Sequence, residues 1–281
     1  MNNRVEILAA PVRSARKSGW TWFGAKGKEW ANRFLVGAVL PVLVLVLWQL
    51  GGDLGFISTV FLPTPFMIAA EFKGLLGSGE LAEHLGISLG RAASGFAIGG
   101  SLGLAFGIAA GLSRNTEQLL DPSVQMLRMV PHLAIAPLII LWFGFGETSK
   151  IAIIANGAFF PLYVNTFLGI RSVDNKLFEV SSVLSFNRYK QIVRLILPAA
   201  LPNILLGLRI SLAVSWLGLV VAELIGSKSG IGFLINIGKQ DSNTELIFVG
   251  IIIFAVVGKL VDSVVRLLET RWLSWRDGYE G

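Results

Sequence analysis

Long apolar stretches alternate with short polar segments along most of the chain. A helix needs about 20 predominantly apolar residues to cross the hydrocarbon core of a bilayer. Six windows come close to or exceed that length: residues 33–50, 88–112, 119–143, 150–170, 201–225 and 246–268. The pattern predicts an all-α polytopic membrane protein, a helical bundle with about six transmembrane helices. In the third window, Pro131 and Pro137 each predict a kink, because proline removes a helical hydrogen bond.

Basic residues between the windows predict the orientation, since Lys and Arg concentrate in cytoplasmic loops. Segment 1–33 holds seven of them and segment 171–200 holds five, whereas loop 51–87 holds only Lys73. Both termini and segment 171–200 are therefore expected in the cytoplasm, and the protein in the cell inner membrane as a multi-pass chain.

The same pattern predicts the organisation of the chain. Residues 62–65 read Leu-Pro-Thr-Pro and precede an amphipathic stretch, 66–76, that is typical of a short interfacial helix outside the membrane. The expected units are a cytoplasmic basic segment 1–32, a first transmembrane helix with the outer helix 33–83, a membrane-embedded core 84–268 that contains loop 171–200, and a cytoplasmic tail 269–281.

Composition supports a membrane protein and excludes several other classes. Hydrophobic residues make up 53% of the chain and charged residues 15%, against about 25% charged in an average soluble domain. The net charge of +6 comes from dispersed basic residues, so nucleic acid is not an expected partner. The absence of cysteine excludes thiol catalysis and thiolate metal sites, and no other metal site is expected. No phosphate-binding Gly-x-x-x-x-Gly-Lys-Ser/Thr motif occurs, so this chain is not expected to hydrolyse ATP.

Glycine recurs every fourth position in the second window, at residues 95, 99, 103, 107 and 111. Glycines at this spacing let another helix approach closely in lipid. A step of four residues drifts around a helix of 3.6 residues per turn, which favours a crossed rather than a parallel neighbour.

Segment 171–202 carries the most specific pattern. Leu177, Val180, Ser181 and Leu184 lie on one face of a short helix that starts near Asp174 or Asn175. A turn is predicted at 186–187, followed by a second helical stretch that ends at Leu197-Pro198. Periodicity alone also fits an ordinary amphipathic loop on the membrane surface.

Three features of this segment resemble the EAA loop of ABC importer permeases, which reads Glu-Ala-Ala, three residues, Gly, and later Leu-Pro. They are Glu179-Val-Ser-Ser, Ser185 six positions on, and Leu197-Pro198. The resemblance covers residues 62–275 and includes segments 62–65, 84–111, 127–138, 142–147, 160–165, 169–174 and 222–225. Together these segments are similar to the type I importer branch that takes up aliphatic sulfonates, taurine and nitrate.

The resemblance implies a non-catalytic permease subunit. Two copies would pair in the lipid bilayer with a cytoplasmic ATPase dimer and an extracytoplasmic solute-binding protein, and ATP and Mg²⁺ would bind to the ATPase. It also implies that the loop couples the permease to the ATPase through Glu179, Val180, Ser181, Leu184, Ser185 and Asn187. The expected solutes are aliphatic sulfonates; taurine, nitrate or a pyrimidine precursor are alternatives. From other classes, an ion-coupled secondary carrier and a membrane scaffold remain open.

Two departures from the family pattern stand in this loop. Val180-Ser181 replaces Ala-Ala, and Ser185 replaces the glycine whose positive φ would turn the chain. Asn187 tolerates the left-handed region and is predicted to supply the turn instead.

Ionisable residues within the windows are candidates for the pathway. Arg91 is predicted to snorkel to headgroups, and Glu223 either to pair with a neighbour or to shape the outer gate. Arg209 either packs against a carboxylate or attracts anions, and His132 is either a polar pathway group or a helix-bonded histidine. Lys259 and Asp262 are spaced for a local ion pair.

Overall fold

The computed structural model describes residues 21–273, with side chains described from residue 37 onward, and this part of the chain contains helices and no strands. Its α-helices are α1 (Thr21–Asp53), α2 (Pro65–Ser78), α3 (Glu80–Leu112), α4 (Arg114–Arg128), α5 (Ala136–Phe143), α6 (Glu147–Arg171), α7 (Asn175–Val183), α8 (Arg188–Gln191), α9 (Leu197–Gly226), α10 (Ile231–Gln240) and α11 (Thr244–Trp272). The helix predicted after Pro65 is confirmed as α2.

Within the described residues, four helical segments are long and apolar enough to cross a membrane: Glu80–Leu112, Glu147–Arg171, Arg188–Gly226 and Thr244–Trp272. They contain four of the six predicted windows, which are confirmed. The first window lies in α1, whose apolar part is Gly37–Asp53. Helix α1 belongs to one compact unit and α2–α11 belong to another. Residues 1–20 and 274–281, which hold most of the predicted terminal segments, lie outside the described residues.

The third window is a bent pair of helices. Helix α4 and the segment His132–Phe143 meet at an angle of 85°, so the pair would add a fifth span if it crosses as one. The break lies at Pro131, and that predicted kink is confirmed. The kink predicted at Pro137 is wrong, because Pro137 occupies the first turn of α5, where its missing N–H removes no helical bond.

The glycine ridge of α3 packs against α6. A Cβ atom on Gly99 would lie 2.0 Å from the Ala155 carbonyl oxygen, and one on Gly103 would lie 2.5 Å from the Phe159 carbonyl oxygen. The contacts advance in register from Gly95 to Gly111, so α3 follows α6 for about 24 Å. The expectation of a crossed neighbour is wrong, because the α6 carbonyls at 151, 155, 159 and 163 also repeat every four residues and the two stripes wind together.

Gly99→Ala is expected to destabilise the chain by about 1–3 kcal/mol, since backbone atoms of α6 cannot move aside without shifting the helix. Gly90 is the matched control on the same helix, because a Cβ added there would meet no atom of a neighbouring segment within 4 Å. Gly90→Ala should be neutral or slightly stabilising. Melting temperatures of the purified variants in detergent test this expectation, and equal shifts for both variants would contradict the described packing.

Helix α6 lies between α3 and α9 and forms the centre of this unit. Ile154, Ala158 and Tyr163 of α6 are fully buried. Helix α9 also approaches closely, because a Cβ on Gly207 would lie 2.7 Å from Cβ of Asn165. The interior therefore depends on small residues at helix contacts, as is usual where lipid removes the hydrophobic drive for association.

The chain stays helical from Arg188 to Gly226. The prediction that a helical stretch ends at Leu197-Pro198 is wrong. Residues Ile192–Ile196 form a π-helical turn, in which the Leu197 N–H donates to the Ile192 carbonyl. This wider turn precedes Pro198, which has no N–H to continue the bonding pattern, so the chain enters α9 without a break.

Candidate functional site

Helix α7 is short and has a well-defined N-terminal cap. Its N-terminus is capped by Asp174, whose Oδ1 accepts a hydrogen bond of 2.9 Å from the Lys176 N–H. Such caps satisfy donors that the helix leaves unpaired. The predicted start near Asp174 or Asn175 is confirmed.

Ser185 itself makes the turn after α7, with φ at 51°. The N–H of Ser185 donates to the Ser182 carbonyl at 3.0 Å. The N–H of Phe186 donates to the Ser181 carbonyl at the same distance, which completes a Schellman motif. The prediction that Asn187 supplies the left-handed turn is wrong: its φ is −74°, and its side chain caps α8.

Ser185→Gly is expected to raise the stability of the α7 turn by about 1 kcal/mol, because glycine adopts positive φ without a steric penalty. Ser182→Gly is the control within α7, where glycine costs roughly 0.5–1 kcal/mol. Thermal melting of both variants should therefore shift in opposite directions. A lower melting temperature for Ser185→Gly would contradict the described turn.

The outer surface of α7 and α8 exposes large apolar side chains. We call the surface formed by Glu179, Val180, Val183, Leu184 and Tyr189 the docking face. Val183 is 85% exposed and Tyr189 73% exposed, while Val180 and Leu184 are each more than half exposed. Clustered apolar side chains of this kind are typical of a protein interface.

Ser181 does not belong to the docking face, because it is fully buried. Its hydroxyl donates to the Phe178 carbonyl at 2.8 Å and accepts from Gln191 Nε2 at 3.0 Å. This geometry favours a role in holding α7 to α8 rather than in contacting a partner.

A buried ionic cluster joins α3, α6 and α9. Arg91 is 4% exposed; its Nη1 donates to Glu223 at 2.7 Å and its Nε donates to Glu147 at 2.6 Å. Glu223 is fully buried and also accepts from the Ser88 hydroxyl at 2.8 Å. The prediction that Arg91 snorkels to headgroups is wrong, because two carboxylates compensate its charge inside the bundle. Of the two readings of Glu223, pairing with a neighbour is the one that the geometry supports.

The cluster also holds the segment that follows α9. Arg91 Nη1 donates to the Ser229 carbonyl at 2.7 Å. The Gly230 N–H donates to His84 Nδ1 at 3.0 Å, and the Gly232 N–H donates to Glu223 at 2.8 Å. No group of three or more His, Asp or Glu side chains in the described part of the chain could hold a metal ion.

Sequence reasoning missed the cluster partners Ser88, Glu147 and Ser229. The sequence does suggest one local pair, because Glu147 and Lys150 are three residues apart, and they form an ion pair of 3.0 Å. No spacing along the chain, however, links Glu147 or Ser229 to Arg91.

Arg209 pairs with carboxylates of α11. Its Nε lies 2.8 Å from Asp262 Oδ1, and its Nη1 lies 3.8 Å from Glu269. Lys259 lies 3.5 Å from the other oxygen of Asp262, so the predicted local pair is confirmed. Arg209 and Asp262 line one end of a cavity of about 610 Å³ whose other walls are mostly apolar.

His132 lies at the break between α4 and α5 with both ring nitrogens buried and without a hydrogen-bond partner. Gly157 of α6 and Gly218 of α9 make room for the ring, since a Cβ on either would lie 2.8 Å or 3.1 Å from its Cε1. The reading of His132 as a helix-bonded histidine is wrong. An unpaired buried polar group costs stability, and such groups are rare in native proteins.

The chain matches a known protein family over most of its length. The family model described as the binding-protein-dependent transport system inner membrane component matches residues 99–274. This match contains α6, α7, α9 and the docking face.

Two curated relatives extend the similarity almost to full length. One, a putative aliphatic sulfonates transport permease protein SsuC of Bacillus subtilis (strain 168), is 60% identical over 88% of this chain and 90% of its own. Its namesake in Escherichia coli (strain K12) is 46% identical over 90% of this chain and 95% of its own. A solved structure described as an amino acid ABC transporter with histidines shares the fold, with a TM-score of 0.60 and 20% identity over 74% of this chain and 99% of its own.

Proposed function

Because this chain belongs to the family of binding-protein-dependent transport system inner membrane components, we propose that it carries aliphatic sulfonates across the membrane. The chain is a permease subunit of an ABC importer, and ATP hydrolysis belongs to separate subunits. The observation that supports this solute class is the similarity over about nine tenths of the chain to two permeases named for sulfonates.

The solute class is tested by competition. Cells that lack their own sulfonate permease would express this chain with its ATPase and binding protein and take up labelled ethanesulfonate. Unlabelled methanesulfonate should compete, whereas taurine, nitrate and a pyrimidine precursor should compete weakly. Stronger competition by any of these three would assign the importer to that solute instead.

The proposed assembly contains two copies of this chain, an ATPase dimer and an extracytoplasmic binding protein. ATP and Mg²⁺ would bind to the ATPase. Within it, α7 would sit in a groove of the ATPase, where Val180 and Leu184 would bury their exposed apolar surface and Glu179 would face a basic group. The exposure of these three side chains on α7 and at its end supports that placement.

The proposed orientation puts both termini and α7 on the cytoplasmic side of the inner membrane. Its support is the concentration of Lys and Arg in segments 1–33 and 171–200. The chain has no native cysteine, so single-cysteine variants can be labelled without background. A cysteine at Val183 should be protected from an impermeant maleimide in intact cells, and one at Phe61 should react.

Among the three pathway candidates, the geometry favours His132. Glu223 already forms an ion pair with Arg91, and Arg209 forms one with Asp262. His132 keeps both nitrogens free of partners between two helices. We assign it the role of a polar contact for the solute anion.

His132→Leu is expected to lower sulfonate uptake strongly while it raises the melting temperature, because leucine has a similar volume and leaves no unpaired polar atom. Arg209→Ala is the comparison: it removes an ion pair whose side chains are 35% and 31% exposed, and uptake should fall by no more than about fivefold. Uptake and thermal melting of both variants in the same membranes test the assignment. Unchanged uptake by His132→Leu, or abolished uptake by well-assembled Arg209→Ala, would contradict it.

A further inference from the structure

A cavity of about 420 Å³ lies where α7 and α8 meet the ends of α3 and α6. Three arginines from different parts of the chain line it: Arg114 at the start of α4, Arg171 at the end of α6 and Arg188 at the start of α8. Asn175 and Gln191 add uncharged polar groups, and apolar side chains, among them Leu112 and Ile196, form the rest of the wall. The cavity thus combines three arginines with an apolar wall.

The basic charge of this cavity is incompletely compensated. Arg171 forms an ion pair with Glu117. Within residues 37–273, Arg114 and Arg188 form no ion pair with a carboxylate, and none of the residues that line the cavity is acidic.

A neighbouring cavity differs from the first because acidic side chains line it as well as arginines. It has a volume of about 520 Å³, shares Arg114 and Arg171, and is also lined by Glu117 and Asp121. Arginine and carboxylate groups therefore balance on that side. Arg188 lines only the first cavity, so it distinguishes the two.

We propose that the cavity lined by Arg114, Arg171 and Arg188 binds a tetrahedral oxyanion, either the phosphodiester of an anionic lipid headgroup or a free sulfonate or phosphate. Guanidinium groups bind such oxygens through paired, charge-assisted hydrogen bonds. The apolar wall would accept the hydrocarbon next to the anionic group. A basic pocket between helices at a membrane surface is also a known geometry for anionic headgroups.

The bound anion would tie α7 to the bundle. Arg188 lies beyond the turn at Ser185, whereas Arg171 ends α6, so a shared anion links the two segments that flank α7. The proposed binding of the anion does not rest on the proposed function.

Binding is measured on the full-length purified chain without any transport assay. Native mass spectrometry would titrate dioleoylphosphatidylglycerol, with dioleoylphosphatidylcholine as the neutral lipid. A second arm would add ethanesulfonate or inorganic phosphate, at matched ionic strength, and record the melting temperature. The variants are Arg188→Gln and, as a matched control, Arg194→Gln, an exposed arginine further along the same continuous helix that does not line the cavity.

The expected result is that the anionic lipid or one free anion binds the wild type about fivefold more tightly than Arg188→Gln. Arg194→Gln should bind like the wild type. The arm that shows this difference identifies the source of the oxyanion. Equal losses in both variants, or no preference for either kind of anion, would overturn the proposal. A chain that binds the anion but fails to import sulfonates would refute only the proposed function.

Discussion

Glu223→Gln is expected to destabilise the chain by about 3–5 kcal/mol, because it removes a charge that compensates the buried Arg91. Glu223 is fully buried and accepts hydrogen bonds from Arg91, Ser88 and the Gly232 N–H. A neutral amide would place an NH₂ group against one of these donors. The measurement is the melting temperature of the purified chain, followed by size-exclusion chromatography after heating.

Glu147→Gln is the matched control, since Glu147 binds the same arginine with its side chain 57% exposed. Arg91 keeps Glu223 as its counter-charge in this variant, and water already screens the exposed Glu147 carboxylate, so the loss should be about 1 kcal/mol. Comparable losses of stability in the two variants would mean that Glu223 is as solvent-exposed as Glu147, contrary to the described burial.

Glu179→Lys is expected to abolish coupled uptake while the permease still inserts and folds. Glu179 is exposed on α7 and forms no ion pair with a residue of the described part of the chain, so the change should leave the fold intact. In the proposed assembly it would set a like charge against a basic group of the ATPase, at a cost of several kcal/mol across an interface. Uptake and copurification of the ATPase are the two readouts.

Glu80→Lys serves as the control for this reversal of charge. Glu80 is exposed at the start of α3, far along the chain from the docking face. It should keep uptake and ATPase copurification at the level of the wild type. Normal uptake by Glu179→Lys would remove α7 from the coupling pathway.

Local patterns were sufficient to predict most helices and the candidate docking element. The apolar windows coincide with four long helices, and Pro131 marks the break in the bent pair. The start of α7 was predicted because an Asp at the N-cap and an apolar face are local signals. The glycine ridge was also visible, although its partner helix was not.

What could not be predicted depends on contacts between distant residues. Arg91, Glu147 and Glu223 are separated by more than 50 residues from one another, and no local pattern brings them together. Snorkelling was the reasonable expectation for a lone arginine near a helix end, and only the neighbouring helices reveal its partners.

The prediction of the turn after α7 was wrong for a different reason. Propensity favoured Asn187 for positive φ, but the Schellman hydrogen bonds fix that conformation at the first residue past the helix cap, which is Ser185. The position of the turn was therefore set by the helix end rather than by the most permissive residue nearby.

The most direct test of the central claim is uptake of labelled ethanesulfonate into proteoliposomes that contain this chain and its ATPase. The binding protein is supplied outside the vesicles and ATP inside, in the orientation proposed. The proposed function predicts accumulation that requires ATP hydrolysis and the binding protein, and that Glu179→Lys abolishes. Accumulation driven by an ion gradient without ATP, or unaffected by omission of the binding protein, would contradict it.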